Sequence, residues 1–154
     1  MVLSHDPGSL RKLRRTAWKF QQTFATPLQN LPAFVATIVS AGRAVDSARL
    51  IVDDAAFPPK HLEALAARHK IAVRYGRDVV LKAENRQEVE ESLLAALNDW
   101  IDFAFIPQPR SFVVYADHDE YATFYAQTRS NLNRITAALA SGGFQVVEGY
   151  ARRA

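Results

Sequence analysis

Residues 111–150 constrain the fold most, because they read as a strand, an amphipathic helix and a second strand with no break between them. Ser111 to Asp117 (SFVVYAD) is β-branched and aromatic, a composition suited to a pleated, half-buried surface. It runs into Asp117-His118-Asp119-Glu120, whose side-chain oxygens and negative charge suit the first turn of a helix. Tyr121, Phe124, Tyr125, Thr128, Leu132, Ile135 and Leu139 then recur at three- and four-residue spacing, which predicts one buried helix face. Gly142-Gly143 closes that helix, and Phe144 to Tyr150 (FQVVEGY) returns to strand character. Such a segment belongs to a globular protein that mixes helix and sheet.

The rest of the chain extends that pattern. Residues 1–8 are expected as a flexible lead. Ser9 then caps a helix from Leu10 to about Phe24, with Leu10, Leu13, Ala17, Phe20 and Phe24 as its apolar stripe. Thr26-Pro27 ends it, and a second helix runs from Pro32 to Ala41. Ala48 to Asp53 reads as a strand, and Pro58-Pro59 opens a short helix to about His69. Ile71 to Tyr75 and Val79 to Ala83 flank Gly76-Arg77-Asp78, a hairpin signal. Arg86 to Ile101 is helical, and Phe103 to Ile106 pairs with Ser111 to Asp117 across Pro107-Gln108-Pro109-Arg110. The expectation is one α+β domain over residues 9–154. Its sheet would be mixed and mostly antiparallel, packed with amphipathic helices, two of them at the N-terminus.

Composition narrows the chemistry. The chain has no cysteine, which excludes disulfides, thiolate metal sites and cysteine catalysis. MVLSHDPGS lacks a basic region followed by an apolar run, and no apolar stretch approaches the roughly 20 residues of a membrane span. The expected setting is a bacterial-type cytosol. Net charge is only +3, too small to point to nucleic acid over the whole surface. The charge is segregated instead. Arg11, Lys12, Arg14, Arg15 and Lys19 fall between Leu10 and Phe24 with no acid among them, whereas residues 84–102 carry six acids against Arg86.

Four features are candidates for function, each with a plainer alternative. Asp53-Asp54 and Asp117-Asp119 stand at expected strand ends, where carboxylates suit a hard cation, although capping and turn formation use the same residues. His61 and His69 lie eight apart, but no metal-ligand spacing such as HExxH accompanies them. His118 sits among acids, where it is a general acid or base or a solvated turn residue. Arg11, Arg15 and Lys19 form a basic strip on the expected first helix, which is a contact surface or a solvated outer face. Glycine-rich phosphate loops and nucleophile elbows are missing from the sequence.

The reading that follows is a non-enzymatic module that binds another protein, in its concrete form a toxin-neutralising (immunity) protein. Asp117, Asp119, Glu120 and Tyr121 would meet a basic partner; Arg11, Arg15 and Lys19 would meet an acidic one. No cofactor, metal ligand or catalytic residue is assigned, and oligomeric state stays open. The alternatives are a metal-dependent enzyme acting on a phosphate-bearing substrate through strand-end carboxylates, and a nucleic-acid accessory protein using the basic helix.

Overall fold

The structure is a computed structural model that describes residues 1–41, 44–72 and 74–150. Eight strands form one sheet in the order β1-β4-β3-β5-β6-β7-β2-β8, and every neighbouring pair is antiparallel. They are β1 (Val2–His5), β2 (Phe20–Ala25), β3 (Ser47–Asp54), β4 (Val79–Ala83), β5 (Asp102–Gln108), β6 (Val113–Ala116), β7 (Tyr121–Ala126) and β8 (Val146–Val147). Among the described residues five α-helices accompany them, α1 (Pro7–Arg15), α2 (Leu31–Ser40), α3 (Lys60–Arg68), α4 (Arg86–Asn98) and α5 (Arg129–Ser141), with a short 3-10 turn at Leu28–Asn30. The class is α+β, as expected, but the described sheet is antiparallel throughout rather than mixed.

The pleat sorts side chains onto two different faces. Leu50, Val52, Leu81, Phe103, Phe105, Val114 and Phe124 point to the face covered by α2, α3, α4 and α5. There Phe34 meets Phe124 and Phe144 edge-on at 6.4 and 5.2 Å, a geometry that favours aromatic pairs. Ile51, Val80, Ala104, Val113, Tyr115 and Tyr125 point the other way, where they meet Leu10 and Leu13 of α1. One helix thus covers part of the second face, while four cover the first.

Two expected helices are corrected. The helix expected from Leu10 to Phe24 is α1 followed by strand β2, so the chain does not begin with two consecutive helices. Asp6, not Ser9, caps α1 through Gly8 N–H, and Thr16 ends it, its N–H bonding to the Leu13 carbonyl. In FQQTFA, Phe20 and Phe24 reach the main core while Thr23 faces away to bond Thr123, a two-residue alternation. Tyr121–Ala126 is likewise strand β7, paired with β6 and β2. Helix α5 begins only at Arg129, capped by Thr128, whose side chain accepts from Asn131 N–H. The reason is common to both: a four-residue spacing is one turn of helix and also two pleats of a strand, so Phe20/Phe24 and Tyr121/Tyr125 fit either.

Other elements shift less. The lead expected to be flexible contains β1, which pairs with β4. Strand β4 lies between β1 and β3, so it does not form a local hairpin with residues 71–75, of which Val73 lies outside the described residues. The expected strand Phe144 to Tyr150 shortens to β8. The β5–β6 hairpin and helices α2 and α3 fall where the spacing placed them, whereas α4, expected to Ile101, ends at Asn98 and leaves Trp100 in the loop before β5.

Candidate functional site

Two surfaces carry the residues that the sequence singles out. The first is the β6–β7 turn. Asp117-His118-Asp119-Glu120 does not start a helix; it closes a hairpin. The Asp117 carboxylate accepts from the backbone N–H groups of Asp119 (3.0 Å) and Tyr121 (3.1 Å), and Glu120 takes a left-handed φ of 68°. Tyr150 donates its hydroxyl to the other Asp117 oxygen at 2.9 Å, and its ring stacks on Tyr121 at 4.3 Å. Asp117 and Tyr121 are therefore spent on building the turn. Asp119 and Glu120 stand in solvent.

His118 is organised by a residue that the sequence reading did not select. Asp102, at the start of β5 and nearly buried, accepts from His118 N–H at 2.9 Å and bonds its Nδ1 at 2.7 Å. That bond, reinforced by the charges of Asp102, Asp119 and Asp117, raises the His118 pKa above its ordinary value. Asp102 has no periodicity or motif around it. Only the pairing of Phe103 with Ala116 brings position 102 opposite the turn.

Beside this turn the loop from α4 to β5 presents Trp100. The residue is 48% exposed and its backbone is left-handed, φ 52°. A bulky residue in that region stores strain, a feature that clusters at functional positions. Leu28, 36% exposed, lines the same small cleft with Thr26, His118 and Glu120. An apolar spot thus adjoins an acidic rim. Asp99, next in sequence, is occupied elsewhere: it caps α3 through His61 and Leu62 N–H and bonds His61 Nδ1 at 2.7 Å.

The second surface is basic. Arg11, Arg14 and Arg15 line a cavity of about 460 Å³ together with Arg77, which precedes β4. Lys19 lies beyond the end of α1, so the strip ends at Arg15. Behind two of these arginines sits Asp53, the extra residue where the β3–β5 register shifts between Val52 and Asp54. Asp53 is nearly buried, pairs with Arg14, accepts the Tyr115 hydroxyl at 2.5 Å and has Arg77 Nε at 3.8 Å.

The two carboxylate pairs do not meet. Strand β5 lies between β3 and β6, so their backbones are two strand spacings, roughly 10 Å, apart. His69 lies past α3 with Glu88 at 3.9 Å and Glu91 at 4.0 Å, far from the partner of His61. Among the described residues no three His, Asp or Glu side chains are grouped to hold a metal ion. No described helix is long and apolar enough to cross a membrane. Comparison with known proteins returns no matching family model, no matching curated relative and no matching solved structure.

Proposed function

We propose that this chain is a non-enzymatic protein-binding module that works in the cytosol, and that its partner is a basic protein surface docking at the β6–β7 turn. The observation that carries the reading is Trp100. An exposed tryptophan held in a strained backbone, with Leu28, His118 and Glu120 lining the same cleft and Asp119 exposed in the adjoining turn, has the make-up of an interface hot spot: an aromatic anchor inside a polar rim. The acids favour a partner of opposite charge and speed its encounter. In its concrete form the module is a toxin-neutralising protein that masks a basic functional surface.

The test is co-expression of the tagged chain with proteins encoded beside it, then titration of the purified pair. The expected result is a stoichiometric basic partner, with toxicity of that partner alone suppressed by the chain. Trp100→Gly is expected to cost about 2 kcal/mol or more of binding. Charge reversal at Asp119 and Glu120 should chiefly slow association. A partner bound equally well by all these variants would place the interface elsewhere.

A further inference from the structure

We infer that the arginine-lined cavity between α1 and the turn before β4 is a binding site for a phosphoryl dianion carried by a small phosphorylated molecule. The inference stands apart from the proposed docking surface at Trp100. It begins with how the cavity is framed. Asp78 donates its N–H to the Val52 carbonyl and Asp6 donates its N–H to the Asp78 carbonyl, both at 2.9 Å. These two bonds tie the end of β3, the turn bearing Arg77 and the cap of α1 into one frame. Arginines from separate parts of the chain therefore face a common space.

Asp53 sets the orientation. The residue is 8% exposed, and it is the bulged residue of β3. It pairs with Arg14 of α1, is braced by the Tyr115 hydroxyl and lies 3.8 Å from Arg77 Nε. One buried acid thus holds the Arg14 guanidinium by a hydrogen-bonded ion pair and draws the largely exposed Arg77 toward the same space.

Charge then selects the ligand. Arg11, Arg14, Arg15 and Arg77 supply four positive charges, and the nearby acids Asp53 and Asp78 supply two negative ones. Two positive charges are left over. Four guanidiniums around one space repel each other unless an anion joins them, and a dianion restores balance. Arginine rather than lysine suits this ligand, because its planar fork bonds two phosphate oxygens at once. Size and lining agree. About 460 Å³ exceeds what a phosphate ion fills and lies within the range of small-molecule sites, and Pro7 and Leu10 supply an apolar wall for an organic portion. The concave shape, with the strip ending at Arg15, fits a small ligand better than a long nucleic-acid backbone.

The test is calorimetric titration of the full chain with inorganic phosphate, pyrophosphate and ADP at low salt. Saturable one-to-one binding of pyrophosphate or ADP is expected. Phosphate binding as tightly as ADP would assign the site to the anion alone; tighter ADP binding would assign it to a phosphorylated organic molecule. Arg11→Ala and Arg77→Ala are each expected to weaken binding about tenfold or more. Lys12→Ala, on α1 but outside the lining, should change it by about twofold or less. Arg14 is left intact because it holds Asp53, and equal melting temperatures confirm folding of the variants. The proposal falls if none of the three probes saturates, or if Lys12→Ala matches Arg77→Ala. It also falls if a single-stranded oligonucleotide binds more tightly than ADP with a steep salt dependence. None of these outcomes bears on Trp100.

Discussion

The two faces of one sheet are built on the same pleat and serve opposite ends. On the face under α2, α3, α4 and α5, alternate strand positions are Leu, Val and Phe, and the layer is apolar and buried. On the other face the same strands offer Arg49, Asp53, Tyr115, Thr23 and Thr123, and α1 covers only part of it. The first face holds the fold by buried area. The second trades some of that area for positioned polar groups, and its partial cover is what opens the arginine cavity. Apolar packing and positioned polar groups are thus divided between the two sides of the same strands.

The largest expected effect tests the apolar face. Phe124→Ala should cost about 3–5 kcal/mol in chemical denaturation, since Phe124 is fully buried and meets Phe24, Phe34 and Phe112. A loss of under about 1 kcal/mol would mean that this face is not the main core. Next, Asp53→Ala removes the Arg14 pair and the acceptor of the Tyr115 hydroxyl, and should cost about 1–3 kcal/mol. Arg14 is itself partly solvated, which keeps the loss below that of a fully buried pair. A neutral result would break the comparison by making the polar face dispensable. Trp100→Gly should change stability by about 1 kcal/mol or less, because glycine relieves the left-handed strain while the ring's contacts are lost. Strong destabilisation would recast Trp100 as a packing residue.

The smallest effect is in titration. The His118 pKa is raised in the fold, so its contribution to stability is fully present below its unfolded value, about 6.5, and is lost as pH rises through the folded value. Asp102→Asn should bring the imidazole midpoint, followed by NMR, back toward its ordinary value. An unmoved midpoint would remove Asp102 as the cause.

Sequence legibility followed the same division. The β5–β6 hairpin, α2, α3 and most of α4 were legible because long apolar runs with proline, glycine or polar stops fit only one period. Residues 20–25 and 121–126 were not. Phenylalanines or tyrosines four apart satisfy a helix turn and two pleats alike, and the choice fell to pairing between β2 and β7, about a hundred residues apart in sequence. At the turn, Asp117 was legible as a cap; what it capped was not. His118 and the basic run were visible as residues, but Asp102, Arg77 and the conformation of Trp100 carry no local signal.

By itself the sequence determined the class, the buried strands and helices of single period, the segregation of charge and the absence of thiol chemistry. Those are properties of composition and of short-range spacing. Tertiary structure decided the strand order, the three unexpected strands β1, β2 and β7, the bulge that aims Asp53 and the meeting of Arg14, Arg77 and Asp53. These depend on contacts between residues far apart in the chain, whose closure is driven by burial of the whole sheet and not by any local preference.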